Sequence, residues 1–395
     1  MTTAAPPGAP PDDTRLTQRR LTQVVFGTLA AFVAALQFSI AASNILLVLT
    51  AIIWIALLVR QRRRPSAPGF FLALSVFALA TLVSSAFSLD PQESFIDSRQ
   101  LLLFAVVPIV YDLVTPSRAR FVTMLIITAG AVSAAIGIVQ YSILQFDTLG
   151  RRPEGTLTHY MTYSGELMLI ICVAASQLVF ARRGRAWAAL VMPALVVALV
   201  VTFTRNAWVG VLAGTALLFA LRDLRLVALL PVVVALVFAF APERITDRMV
   251  SMFDLRDPSN RDRLAMTRTA ASIIRDRPLT GVGPNMIPRV YTRYRDRDAY
   301  NETSPHLHNV PLQIAAERGL PALAAWLWFV AAVATALLRQ FRRGIEIPLA
   351  AGGLAALVAM LTAGLFEHNF GDSEFLMLFL VIITLPFAAA REQQQ

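Results

Sequence analysis

Residues 44–64 read NILLVLTAIIWIALLVRQRRR: an uncharged apolar run from Asn44 to Val59, closed by Arg60, Arg62, Arg63 and Arg64. A helix needs roughly 20 mostly apolar residues to cross the roughly 30 Å hydrocarbon core of a bilayer. Comparable runs recur along almost the whole chain, at about 22–40, 44–59, 69–87, 101–115, 121–141, 163–181, 187–203, 207–221, 226–241, 321–338, 347–365 and 374–390. The repetition excludes a soluble core, a barrel and a signal peptide. Composition agrees: of 395 residues 56% are apolar and 15% charged, against about one quarter charged in a soluble domain, and the mean hydropathy is +0.62. The expected fold is therefore an all-α polytopic membrane protein of about twelve transmembrane helices. Several runs are short, which suits a thinned or protein-lined region.

Arginine placement orients this map. The chain has no lysine, so all 35 basic residues are arginine. With both termini cytoplasmic, 18 arginines fall on the inner side and only Arg99, Arg151, Arg152 and Arg205 in short outer loops, as the positive-inside rule requires. The other 13 lie in one long outer segment, 242–319, and long loops are largely exempt from that rule. The expected organisation is a cytoplasmic tail at 1–20, nine transmembrane helices within 21–241, a large, partly helical periplasmic segment at 242–319, three more helices within 320–390, and a short cytoplasmic tail at 391–395. The Pro-rich leader Met1–Arg20 shows no small-residue cleavage site and reads as a retained tail. The net charge of +10 sits mostly at membrane boundaries and does not point to nucleic acid.

The long outer segment is too large for a simple connector. It predicts a helix over 261–277 with Ser259 or Asn260 as N-cap, a turn at Pro278-Leu-Thr-Gly-Val-Gly-Pro284, a basic stretch from Arg289 to Asp298, and a second helix after Pro305-His-Leu-His308. Residues able to carry chemistry gather on the same outer side. Arg205, in the very short connection Phe203-Thr-Arg-Asn206, has no other charge in that connection to pair with; it suits a lipid-linked phosphate or headgroup anchoring by a snorkelling side chain. Arg263, near Arg261 and Arg268, opens the 261–277 helix, where anions are favoured; a solvated face paired to Asp262 or Asp276 is the alternative. His308 precedes a helix on which Asn309, Gln313 and Glu317 form a polar stripe, with Pro311 tolerable in the first turn. A helix N-terminus disfavours imidazolium, and a neutral imidazole can accept a hydroxyl proton; a capping role is the alternative. Glu317 is a second acid/base candidate or a partner of Arg318.

His368 lies in Phe366-Glu-His-Asn-Phe-Gly-Asp372, whose spacing matches no metal motif, and His159 and His306 read as loop polar groups. Neither a metal nor a cofactor is expected. The one cysteine, Cys172, sits in an apolar run and permits no internal disulfide. No nucleotide-binding loop or cytosolic catalytic domain is visible, so an activated substrate has to arrive already charged.

These residues resemble the O-antigen ligase superfamily, which also holds O-antigen polymerases and protein O-oligosaccharyltransferases. His308-Asn309, Leu312, Glu317 and Gly319 resemble the pattern H-N-x-x-L-x-x-x-x-E-x-G-x-x-G, whose last glycine is Ala322 here. Arg263-Leu264 with Ile274, Asp276, Pro278-Leu279 and Gly281-Val-Gly-Pro284 resembles R-L…I-x-D-x-P-L-x-G-V-G-P, with Thr267 where an aromatic often stands. Thr204-Arg205 resembles a Ser-Arg step, and Arg152-Pro-Glu-Gly155-Thr156 an R-x-x-G-T element. The likeness spans about 150–325.

The resemblance implies an inner-membrane, periplasm-facing, metal-independent and inverting glycosyltransferase. It would move O-antigen from undecaprenyl diphosphate to a sugar hydroxyl of lipid A–core. Arg205 and Arg263 would hold the donor diphosphate, His308 would activate or position the acceptor hydroxyl, and Arg152, Arg289, Asn309 and Glu317 would support them. An O-antigen polymerase and a protein O-oligosaccharyltransferase are the alternatives within the superfamily, the latter disfavoured by the lack of a large C-terminal extension. A secondary transporter is the alternative outside it, disfavoured by scarce mid-span ionisable residues and no visible repeat.

Overall fold

The computed structural model describes residues 12–254 and 256–391. Most of the two expected tails, 1–11 and 392–395, lies outside the described residues. Sixteen α-helices are present among the described residues: α1 (Asp12–Ala35), α2 (Ile40–Gln61), α3 (Phe71–Ala86), α4 (Pro91–Asp97), α5 (Val106–Leu113), α6 (Pro116–Ser142), α7 (Tyr160–Phe180), α8 (Arg185–Val201), α9 (Arg205–Arg222), α10 (Leu229–Phe240), α11 (Glu243–Val250), α12 (Pro258–Asp276), α13 (Ile287–Tyr294), α14 (Val310–Arg342), α15 (Ile347–Ala363) and α16 (Ser373–Ala390). The described residues form no strand, only a single bridge between Thr148 and Arg151.

Each apolar run read from the sequence coincides with a helical stretch. Six are long and apolar enough to cross a membrane: α2, Pro91–Leu113, α6, α7, α14 and α16. Arg20–Ala35, α3, α8, Leu224–Phe240 and α15 are apolar but shorter. The polarity of α2 is inverted relative to a soluble helix. Ile45, Val48, Ile52, Ile55 and Val59 are exposed along one face, whereas Ser43 and Thr50 are fully buried and bond to backbone carbonyls within the helix. That arrangement suits hydrocarbon, where apolar groups face lipid and polar groups must be satisfied inside. α7 and α16 are buried almost all round and form the centre, with α15 packed on α7 and α9.

Local details depart from the sequence expectation for identifiable reasons. The run expected at 101–115 is composite: α4 leads into a 3-10 stretch, Ser98–Ala105, before α5. Pro108 has no N–H to donate to the Phe104 carbonyl, which removes an α-helical bond at that join. α1 begins inside the leader at Asp12 and ends at Ala35. The chain then turns around buried Gln37, which donates to the Ile126 carbonyl at 3.2 Å, and restarts behind the Ser39 cap of α2. At the end of α2, the Asp112 carboxylate accepts from Arg63, Trp54, Ser66 and Arg391, tying α2, α5 and the end of α16 together.

The outer segment is fastened by a backbone exchange. α14 is interrupted at Gly319, whose φ of 80° and ψ of 169° are not helical and lie in a region essentially restricted to glycine. The carbonyls of Ala316 and Glu317, left over by the break, accept from Val282 N (3.0 Å) and Gly283 N (2.8 Å), and Leu320 N donates to the Pro278 carbonyl (2.8 Å). A Cβ on Gly281 would run into the Glu317 carbonyl, and one on Gly319 into that of Leu279. From the other side, Ser84 and Ser94 donate to the carbonyls of Thr280 and Pro284. Met266, Ile273, Met286, Ile287, Tyr291 and Leu307 then close a small separate core over Ala316.

Gly319→Ala forces a side chain into this contact and into a forbidden backbone region, a cost of order 1–3 kcal/mol. The thermal midpoint of the detergent-purified variant is expected to fall by several degrees. An unchanged midpoint would mean that the turn is not held as described.

Candidate functional site

All four histidines of the chain meet at one pole of the helix bundle. α7, α9 and α16 begin there and α15 ends there. His308 stands just before α14 with a positive φ of 47°, a conformation in which histidine is enriched but still uncommon. Asn309, not His308, caps the helix: its Oδ1 accepts from Leu312 N at 2.9 Å, and Pro311 occupies the first turn. The segment after α15 receives this corner. Val310 N donates to the Gly364 carbonyl at 2.7 Å, and Asn309 Nδ2 donates to that of Leu365 at 3.0 Å.

The central contact joins His308 Nδ1 and Glu367 Oε2 at 3.0 Å. Burial raises the Glu367 carboxyl, but His308, His306 and the His368 N–H outweigh it and hold the group down at about 2. Glu367 is therefore an anion that can only accept. The proton of a neutral His308 accordingly sits on Nδ1, which leaves the lone pair on Nε2. No group among the described residues bonds Nε2, and the side chain is 23% exposed. His306 packs against His308 with ring centres 4.2 Å apart, its Nε2 3.5 Å from Glu367 Oε1. Burial lowers His306 to about 4 and holds His368 well below the usual imidazole range, so both rings are neutral at ordinary pH. His159 caps α7 and stacks on Tyr160. A cavity of about 230 Å³ opens beside His159, Asn206, His306, Glu367, His368 and Asp372.

Four arginines border this corner. Arg205, the first residue of α9, is only 7% exposed. It donates to the Ser251 carbonyl and hydroxyl, both at 3.0 Å, and pairs with Asp257 at 3.2 Å. Its short connection holds no partner, but the outer segment supplies one from 52 residues onward. Arg248, on α11, reaches the other oxygen of Asp257 at 3.8 Å. Burial lowers Arg248 to about 10, with Arg205, Arg152 and Arg263 pushing the same way against Asp257. Arg263 donates to the Phe366 carbonyl (3.1 Å) and the Ser259 hydroxyl (2.9 Å), and burial followed by Arg205 lowers it while Glu367 opposes. Arg152 lies over the Tyr160 ring at 4.2 Å, and burial with Arg205 lowers it too. The four guanidiniums lie close enough to repel one another, and Asp257 is the carboxylate that pairs with two of them, Arg205 and Arg248. Arginine forks crowded in this way suit a multiply charged phosphate ligand.

The structure therefore brings together His308, Asn309, Arg152, Arg205 and Arg263. The cap of α12 is Asp257 rather than Ser259 or Asn260: its Oδ1 accepts from both of their amides, and Pro258 fills the first position. Arg263 consequently lies in the second turn and acts through its side chain alone. Arg289 is elsewhere, pinned to Asp90 and Glu93. Glu317 is buried against Arg318, which leans on Asp97. Sequence reasoning missed Arg248 and Glu367. His306, His308 and Glu367 also place one ligand atom each within 4.8 Å of one another, a grouping that can accept a cation.

If the cluster holds a diphosphate, Arg248→Gln and Arg263→Gln are each expected to weaken a prenyl diphosphate about tenfold or more, the scale of a hydrogen bond to a charged group. Arg289→Gln should leave it unchanged. Titration calorimetry of the detergent-purified chain measures this, and equal losses at all three positions would reduce the cluster to bulk charge.

Residues 188–327 match the family model described as O-antigen ligase. That stretch runs from α8 into α14 and includes Arg205, Arg248, Arg263, His308, Asn309 and Glu317, whereas Arg152 and Glu367 lie outside it. No curated protein matches the chain. With apolar helices long enough to span a bilayer, the chain is a multi-pass membrane protein, and its residues 188–327, which carry much of the arginine and histidine corner, match the O-antigen ligase family model.

Proposed function

We propose that this chain is an O-antigen ligase of the bacterial inner membrane. It transfers an O-antigen glycan from undecaprenyl diphosphate to a sugar hydroxyl of lipid A–core. In this reading twelve helices cross the membrane with both termini cytoplasmic, and the histidine pole faces the periplasm. The observation that carries the reading is the juxtaposition of a carboxylate-oriented histidine with four arginines that share few carboxylates. One half suits a hydroxyl that must lose a proton, the other a diphosphate that must leave as an anion.

Arg205, Arg248 and Arg263 hold the donor diphosphate, and Arg152 supports them from the Tyr160 face. His308 Nε2 takes the proton of the acceptor hydroxyl. The hydroxyl oxygen forms its bond to the anomeric carbon as the bond from that carbon to the diphosphate oxygen breaks, and the electron pair leaves on the diphosphate. The guanidiniums stabilise charge that grows as that bond breaks. A single displacement inverts the anomeric centre. The proton on His308 passes to solvent. Glu367 is a positioning residue that fixes the tautomer, and Asn309 holds the corner. Glu317 and Arg289 support the outer segment from a distance.

A second reading draws on the same His306, His308 and Glu367 grouping, which would accept a divalent cation as a Lewis acid. It competes with the first because the Glu367 oxygen and His308 Nδ1 already bond each other.

Lipopolysaccharide gels test the assignment. Deletion of the gene is expected to leave lipid A–core bare while polymerised O-antigen stays on its lipid carrier, and His308→Ala should fail to restore ligation at normal expression. Core bearing a single repeat unit would make the protein a polymerase, and unchanged lipopolysaccharide would favour protein glycosylation or transport. In purified assays Glu367→Gln should lower kcat by about 10²-fold, the scale of a positioned base, with the donor KM kept. Chelator should leave the rate unchanged; loss restored by a divalent metal would put the metal reading in place of the first.

A further inference from the structure

The opposite pole of the bundle carries a pocket that the transfer reaction does not use. α7 runs from Tyr160, beside the histidines, to Phe180 at this pocket, a rise of about 30 Å at 1.5 Å per residue. That equals the hydrocarbon thickness of a bilayer, so the two sites sit at opposite membrane faces. The pocket has a volume of about 370 Å³, and Arg120, Arg182 and Arg183 stand around it with Glu346 as the one carboxylate of its lining. None of the three arginines forms an ion pair or hydrogen bond among the described residues.

Two further features favour an anion. The 17-residue helices α8 and α15 both begin at the pocket wall, behind Gly184 and Glu346, and neither has a side-chain cap. The positive ends of both dipoles and the first amides of α8 are left for a ligand, whereas in α15 Pro348 has no N–H and Leu349 N donates to the Glu346 carbonyl at 3.0 Å. Gln177 lines the pocket at 6% exposure, yet its side-chain amide bonds no other group among the described residues. Its polar atoms are not sealed off from the pocket space, so they are available to a ligand there. Met124, Phe180 and Leu349 make the remaining walls apolar.

We propose that this pocket binds an anionic phospholipid, with the phosphate among Arg120, Arg182 and Arg183 and the start of an acyl chain along Met124, Phe180 and Leu349. Basic pockets between helices at the inner face are suited to such headgroups. The apolar wall is what selects a lipid over free phosphate. The site lies across the membrane from His308, so it acts on stability and placement in the bilayer rather than on the transfer itself.

The test uses the full-length chain, stripped of lipid in detergent, and follows thermal midpoint and lipid retention by native mass spectrometry. Dioleoyl phosphatidylglycerol is expected to raise the midpoint and stay bound, while dioleoyl phosphatidylcholine and inorganic phosphate do neither. R182Q/R183Q, and independently Gln177→Leu, should each weaken the phosphatidylglycerol response about tenfold, as expected for losing a contact to a charged group. R60Q/R64Q, a control pair at the same pole, should leave it intact. The proposal is overturned if phosphatidylcholine works equally well, if phosphate alone reproduces the shift, or if the control pair weakens binding as much as R182Q/R183Q. Should R182Q/R183Q fail to fold, Gln177→Leu decides the matter: an unaltered phosphatidylglycerol response in that variant also overturns the proposal.

Discussion

The site depends on a helix that stops and restarts. At Gly319 the backbone of α14 leaves helical geometry, and the carbonyls it releases are taken by Val282 and Gly283. Unpaired backbone groups in a buried place are costly, so the break and the turn at Gly281–Pro284 require each other. The join holds the outer segment on the bundle, with about two and a half turns of helix between Val310 and the break. His308 and Asn309 sit at the start of that stretch, and α12 with Arg263 packs beside it. A residue with a side chain at Gly281 or Gly319 would separate the two parts of the site before touching either.

Electrostatics then divides the corner into two tasks. Burial works against every ion, so each charge that persists needs a reason. Glu367 persists because His308, His306 and the His368 amide hold it. The arginines persist because guanidinium stays protonated even where burial and like charge oppose it. Asp257 is shared between Arg205 and Arg248 and also caps α12, so its capacity is spread thin. The remaining positive charge has no protein partner of matching size, and Arg263 links the two halves by donating to Phe366, next to Glu367.

Much of the scaffold was legible because apolar runs of helical length are a strong signal. The site was legible only in part. Arg205, Arg263 and His308 stood out through short motifs, but Arg248 is one of many arginines in a basic segment and nothing local marks it. Glu367 is 59 residues from His308, and its loop drew attention only as a weak metal candidate beside His368. A carboxylate in a short loop at the same pole as the chain's four histidines was the available clue. The cap falls at Asp257 although Ser259 and Asn260 are both good capping residue types, because Pro258 fills the first helical position. Arg289 has the right charge, but Asp90 and Glu93 claim it from 199 and 196 residues earlier in the sequence.

The most direct test is transfer by purified chain in liposomes, with a polyprenyl-diphosphate glycan as donor, lipid A–core as acceptor, and the anomeric configuration of the product read by NMR. The account requires product inverted at the anomeric carbon from the wild-type chain and none above background from His308→Ala, with donor binding retained in that variant. Retention of configuration, or transfer by His308→Ala at the wild-type rate, would contradict it.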